Sequence, residues 1–207
     1  MEVIYEMKME ADERKKQIRQ AAMKVFLDKG FRNTVMNDIM KATGLSRGGL
    51  YHHYSSTYEI LYDLMKDGNF LRVKSIQKAV ESFGNTINPQ IMAEIWVEKM
   101  LAYNKYIPVY VMFLCEIKND AKLNKLYEKL KAITIQEFSQ LLRKYNYIPP
   151  TEEEFDFLTN IINSSLLGCE ILNARENYLK NREYLLLMLE SYFAKIEKKG
   201  KEGSIEK

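Results

Sequence analysis

The chain has 207 residues, 46% of them apolar and 29% charged, with a formal net charge of +3, 9 glycines and 4 prolines. This composition excludes collagen-like, mucin-like and disordered classes, and so few turn formers favour long helices over the many short strands of a sandwich. The charge is unevenly placed: residues 1 to 57 carry ten Lys and Arg against seven Asp and Glu, while residues 58 to 207 carry 21 of each, so the excess suited to a polyanion lies in the first quarter.

From Asp12 to about Lys29, Ile18, Ala21, Ala22, Val25 and Phe26 recur at intervals of three and four, which predicts an amphipathic helix stopped by Gly30. Its outer face would carry Arg14, Lys15, Lys16 and Arg19, with Phe31 folded back onto the last turn. Thr34 is expected as the N-cap of a two-turn helix that turns Val35, Ile39 and Ala42 inward, and Gly44 follows where the left-handed conformation is needed. Ser46 then caps a third short helix, SRGGLYHHY, with Leu50 and Tyr54 on its inner face. Ser56 and Glu59 have capping-box spacing and open a longer helix to about Phe83, ended by Gly84 and Asn85.

Further helices are expected from Pro89 to about Tyr106, from Pro108 through Glu116, and from Asp120 to about Tyr145. Pro149 and Pro150 break the chain, and Thr151 with Glu154 repeats the capping-box spacing before a helix to about Asn177 and a last one from Arg182 to Lys198. The expectation is an all-α fold of nine helices, with KKGKEGSIEK a disordered tail. No repeat or flexible linker is evident, so a DNA-sized head at 1–55 and a helical domain at 56–199, ahead of the tail at 200–207, share the helix that starts near Ser56. Movement of its far end would reach the head as through a lever.

Cys115 and Cys169 lie far apart in apolar surroundings, without a CxxC pair, and are expected as buried small apolar residues in a reducing compartment. No stretch approaches the ~18 apolar residues of a membrane span, and none resembles a signal peptide. A soluble, cytoplasmic protein with no membrane partner is the expectation.

The segment from Thr34 to Tyr54 is the informative one: a short helix, a glycine turn and a second short helix with a polar and aromatic outer face, the layout of a helix-turn-helix. Ile39, Leu45 and Leu50 supply the inner contacts, which leaves Ser46, Arg47, Gly48, Gly49, Tyr51, His52 and His53 to face a major groove. Arg47 can grip guanine bidentately or hold a phosphate, Tyr51 and His52 can donate to phosphate oxygens, and glycines let backbone approach closely. Gly48 and Gly49 each cost about 1 kcal/mol relative to Ala inside a helix, so a pair of them asks for a reason. His52 and His53 point about 100° apart on a helix and lack a third ligand, so no metal is expected. No G-x-S-x-G, P-loop, G-x-G-x-x-G or H-E-x-x-H motif is present, so neither catalytic residues nor cofactors are expected.

The stretch MKVFLDKGFRNTVMNDIMKATGLSRGGLYHHYSSTYEIL resembles the DNA-binding domain of the TetR family of transcriptional regulators, most specifically in KGF-x-x-T and in the run from Asp38 to Tyr54. The resemblance covers about 50 residues. It implies a homodimer on a palindromic double-stranded operator, recognition helices in successive major grooves ~34–36 Å apart, and a C-terminal core whose small-molecule ligand changes the spacing of the heads. The contacts it implies are Thr34, Arg47, Gly48, Tyr51, His52, His53 and the helix start at Ser56 and Thr57. Thr57 stands where the family usually carries Lys, and Met40 where a small Ala is usual.

Trp96, Met100, Tyr103, Tyr110, Phe113 and Asn163 are candidates to line the cavity of an apolar or aromatic effector, although core packing explains most of them as well. Asn163 and Glu170 interrupt apolar stretches, and each suits solvent or a dimer contact too. The last two helices are apolar around more than one face, so Leu158, Ser165, Gly168, Leu185, Met188, Leu189 and Tyr192 are the expected seam of a four-helix dimer interface. The function expected is that of a ligand-responsive regulator acting as a repressor. Alternatives on the same fold are a helical adaptor, or a small-molecule-binding protein or enzyme without operator binding.

Overall fold

The computed structural model describes the backbone of residues 2–84 and 86–205 and the side chains of residues 11–84 and 86–198. Its first helix, α1 (Glu2–Lys29), begins well before Asp12, because the Glu, Met, Lys and Ala residues upstream are good helix formers with no breaker among them. Gly30 ends it at φ 77°. Phe31 does fold back, its ring centroid 5.4 Å from that of Phe26.

Two short helices follow, α2 (Met36–Thr43) and α3 (Arg47–His53), then α4 (Thr57–Ser82). Residue Val35, not Thr34, precedes α2: the Thr34 hydroxyl donates to the Gly30 carbonyl at 2.8 Å instead, and the Asp38 carboxylate accepts the Val35 N–H at 3.0 Å. A side-chain hydroxyl satisfied by the turn behind it is no longer free to cap the helix ahead. At the start of α4, the Ser56 hydroxyl accepts the Glu59 N–H at 3.3 Å, but the Glu59 carboxylate turns to the N–H and hydroxyl of Ser55, both at 2.8 Å.

The remaining elements are α5 (Pro89–Met100), α6 (Ile107–Glu116), a 3₁₀ turn (Ile117–Asn119), α7 (Ala121–Lys144), α8 (Glu152–Ile171), α9 (Arg175–Lys180) and α10 (Arg182–Ile205). That makes ten α-helices among the described residues rather than nine, with no strand. The expected helix end at Tyr106 moves back to Met100 because the Arg175 guanidinium takes the Leu101 and Ala102 carbonyls, at 2.5 and 2.7 Å. The expected end at Asn177 moves to Ile171 because Asn173 sits at φ 55° and the Ala174 N–H returns to the Gly168 carbonyl at 3.1 Å. Asn tolerates the left-handed conformation better than most side chains, so it can terminate a helix as Gly does. The expected tail is helical as far as Ile205, where Lys and Glu continue the helix past two glycines. Asn85 and residues 206–207 lie outside the described residues.

The chain forms two compact units, one made of 1–68 and 108–128, the other of 69–107 and 129–207. The first includes a later segment, residues 108–128. Within it, Ile18, Ala22, Phe26, Ile39, Leu50, Ile60 and Leu61 are wholly buried. Each large aliphatic or aromatic side chain among them contributes about 1.5–3 kcal/mol of apolar burial. The later segment is held to the head by Phe31 edge-on to Tyr58 at 5.0 Å, the Tyr58 hydroxyl donating to Asp120 at 2.7 Å, and an Arg32–Glu116 ion pair.

The second unit centres on Trp96, whose ring lies 5.8 Å from Phe138 and 6.0 Å from Phe155 and Phe193. Those rings come from α5, α7, α8 and α10, so one residue ties four helices into a single core. Arg182 at the start of α10 donates to Glu94 at 2.5 Å and Glu98 at 2.8 Å on α5. Cys169 is buried, but Cys115, on α6, is exposed. Among the described residues no helix is long and apolar enough to cross a membrane.

Candidate nucleic-acid interface

Two local features set the approach of α3. Gly44 adopts φ 68°, which reverses the chain after α2. Ser46 then caps α3, its hydroxyl accepting the Gly49 N–H at 3.1 Å. Leu50 fixes the inner face at 0% exposure, whereas Leu45, expected beside it, is only half-buried.

A Cβ added at Gly49 would meet the Ser46 hydroxyl at 3.3 Å and Leu45 at 3.9 Å, so this glycine makes room for the cap. At Gly48 a Cβ would meet nothing within 4 Å. Nothing inside the chain thus calls for glycine there, and the open space lies on the outer face. Gly48→Ala is expected to raise stability by up to about 1 kcal/mol, a Tm gain of about 2–4 °C in a chain of this size, while weakening affinity for a selected duplex several-fold. Calorimetric melting and a binding titration check the two signs together.

Arg47, Gly48, Tyr51 and His52 are exposed on that face, and Ser46 is exposed at its start. The Arg47 guanidinium lies 5.7 Å from the Tyr51 ring centroid, an arrangement that orients both side chains outward. His53 is half-buried, its ring 5.1 Å from His52. Burial, followed by the nearby charges of His52, Lys15 and Arg14, holds its imidazole below the ordinary histidine value. The basic residues of α1 therefore adjoin the end of α3 and extend its positive surface. Thr57 is half-buried at the first residue of α4, and Thr34 is only 5% exposed, its hydroxyl occupied by Gly30.

Arg19 departs from its expected place on the outer face of α1. Its guanidinium turns inward to Asp67, with bonds of 2.7 and 3.1 Å, and donates to the Tyr54 hydroxyl at 3.2 Å. Tyr54 donates in turn to Asp63 at 3.0 Å. Burial, tempered by Arg19, pushes the Tyr54 phenol up to about 12. Burial pulls Arg19 down, but its bonds to Asp67 and Tyr54 outweigh that and hold the guanidinium charged. The clamp ties α1, the end of α3 and α4 together, and so sets the angle at which α3 is presented. Asp67→Asn is expected to lower stability by about 2 kcal/mol, because a part-buried charge-assisted pair is broken. A urea titration of the two proteins measures it.

The candidate effector residues divide between the units. Trp96, Met100 and Asn163 are buried in the second unit, at 1%, 5% and 8% exposure, whereas Tyr103 there is 81% exposed beneath Arg175. Phe113, at 1%, and the half-buried Tyr110 belong to the first. Glu170 is taken by Arg175 at 2.5 Å.

Among the candidate dimer residues, Leu158, Ser165, Gly168 and Leu189 are covered by their own chain, Gly168 lying under the Tyr178 ring. Leu185 and Tyr192 are half-buried and Met188 is exposed. The apolar side chains left outside are Phe157 on α8, Ile171 and Leu172 at its end, and Tyr184, Leu187 and Met188 on α10, at 52% to 75% exposure. Most of these are not marked by the amino-acid pattern, because an apolar run around a whole helix does not say which side its own core takes.

The family profile described as "Bacterial regulatory proteins, tetR family" matches residues 18–64, which span α1 to the first turns of α4. The chain is 29% identical over 135 residues to the HTH-type transcriptional regulator YfiR of Bacillus subtilis, an alignment covering 64% of this chain and 65% of YfiR. It is 32% identical over 54 residues to the HTH-type transcriptional repressor KstR2 of Mycolicibacterium smegmatis, covering 26% of each. The chain thus aligns with less than two thirds of either relative. The solved structure of Salmonella enterica GusR superposes with a TM-score of 0.63 at 15% identity, over 89% of this chain and 95% of that one, a likeness of fold. Residues 18–64 thus match the helix-turn-helix domain of the tetR family of bacterial regulatory proteins in sequence, and the all-α architecture of the chain resembles that of GusR in fold.

Proposed function

We propose that the chain is a ligand-responsive transcriptional repressor. As a homodimer it binds a palindromic operator through α3 of each protomer, and it lets go when a small apolar or aromatic effector enters the second unit. The observation that carries this reading is the outer face of α3, where Arg47, Gly48, Tyr51 and His52 stand together on a helix whose inner face is pinned by Leu50 and by the Arg19–Tyr54–Asp67 clamp. The exposed apolar side chains of α8 and α10 support the dimer, and the aromatic core around Trp96 supports an apolar effector.

Arg47 supplies a base-edge or phosphate contact, Tyr51 and His52 donate to phosphates, and Arg14 and Lys15 add sequence-independent attraction. Effector binding selects a conformer whose heads no longer match the operator, so its affinity difference between the two conformers sets how far release goes. Selection from a pool of random duplexes tests the reading: enrichment of a palindrome, with affinity falling steeply as salt rises, is the expected result. A protein that enriches nothing above the input pool is not an operator-binding regulator.

A further inference from the structure

Lys99 on α5 is 8% exposed, and its Nζ lies between two aromatic rings, 4.1 Å from the Trp96 ring centroid and 4.0 Å from that of Phe138. Among the described residues no carboxylate pairs with it. Burial, and then the positive charge of Arg72 on α4, drive its amine well below the ordinary lysine range. One turn earlier on the same helix, the indole N–H of Trp96 is buried without an acceptor among the described residues. Phe138, Phe155 and Phe193 surround that indole.

Buried donors are normally matched by acceptors, and a lysine amine is almost never fully buried unless it is paired. Two unmatched donors within one apolar shell define the chemistry they would accept. A cation finds no counter-charge there and meets the positive charge of Arg72. A sugar or other polyol brings hydroxyl donors as well as acceptors, and the aromatic shell offers them no partners. A group that only accepts, carries one negative charge and trails an apolar body matches both the donors and the rings.

We propose that Lys99 and Trp96 form the headgroup site for the carboxylate of an apolar organic acid, each donating to the carboxylate while the surrounding rings meet the apolar body. This deepens the effector reading given above and rests on it. Lys99 carries the discrimination: a carboxylate supplies the counter-charge that lets the buried amine hold its proton, which an uncharged compound of the same shape does not.

Trp96 is the chain's single tryptophan, so its own emission reports occupancy without a label. Full-length protein, free of DNA, is titrated with octanoate, octanol and octylamine. Octanoate is expected to give a saturable change in Trp96 emission with an affinity at least about tenfold above that of octanol, and octylamine none. Lys99→Met is expected to erase the preference for octanoate while melting no lower than the parent, because it removes an unpaired buried amine and keeps the volume. Equal affinity for octanoate and octanol in the parent protein overturns the headgroup site, and that comparison stands even if the variant does not fold. Unchanged octanoate preference in a folded Lys99→Met protein overturns it too. Release of the selected duplex is measured separately. Octanoate that binds through Lys99 without releasing the duplex upholds the headgroup site and removes its effector role, whereas a chain that holds its duplex but shows no octanoate preference keeps the regulator reading and loses the site.

Discussion

Replacing Arg47 and Tyr51 together with alanine is expected to weaken retention of a selected duplex by about a hundredfold or more, while the protein stays folded and keeps its oligomeric mass. Both side chains are exposed and stacked on each other, so neither supports the core. Their removal leaves Ser46 as the cap of α3 and Leu50 as its buried anchor. A bidentate base contact is worth about 1–3 kcal/mol, and each protomer contributes one face. A phosphate contact is lost with each residue that makes one, and the slope of affinity against salt should then fall by about one unit per contact removed. If the double variant retains duplex as the parent does, over a range of salt, the outer face of α3 is not the recognition surface.

Changing Leu187 and Met188 to glutamate is expected to convert a particle of about twice the 24.4 kDa chain mass into one of a single chain mass. These side chains are 60% and 64% exposed on α10. Carboxylates at the centre of a dry seam would lie there without partners, at a cost of several kcal/mol. Binding to a palindrome should then fall by about a hundredfold or more, because the second half-site loses the high effective concentration that the dimer provides. Light scattering coupled to size exclusion measures the mass. A variant that keeps the double mass places the seam elsewhere. Leu189→Glu is not an equivalent test, since Leu189 is 6% exposed within its own chain and its loss would unfold the second unit.

Much of the head was legible because its signals are local. Gly30 and Gly44 take the left-handed conformation that their places in the pattern require, Ser46 caps α3, and Ile39 and Leu50 are wholly buried. Each of these depends on residues within a turn or two. Thr34 departs from expectation for a local reason, since two partners competed for one hydroxyl and the carbonyl behind it won, and Val35 and Ala42, expected inward beside Ile39, are exposed. The longer chain signals were weaker: Asn173 ends α8 and Arg175 ends the expected extension of α5, although neither residue is a usual helix breaker.

Function-bearing side chains were harder to place. Arg19 reads as one of four outer basic residues, yet it finds Asp67, 48 positions away, and becomes part of the clamp that angles α3. Lys99 follows Trp96 by one turn on α5, and only Phe138, brought over it from α7, makes it a buried amine without a counter-charge. On α8 and α10, apolar residues occupy every side, so the pattern could not assign Leu158 and Leu189 to the core and Phe157 and Leu187 to the surface.

The amino-acid sequence by itself determined that the chain is helical, that its first quarter carries the helix-turn-helix, and that Arg47, Gly48, Tyr51 and His52 of α3 are exposed. Helical period, capping hydroxyls and glycine's freedom act over a few residues and need no tertiary context. Tertiary structure alone decided which basic residues face inward, which apolar stripe of α8 and α10 is left over, and that Lys99 is buried without a counter-charge. Those outcomes depend on partners brought together from distant parts of the chain, and in a low-dielectric core the partner decides whether a polar group is a tie, a cost or a site.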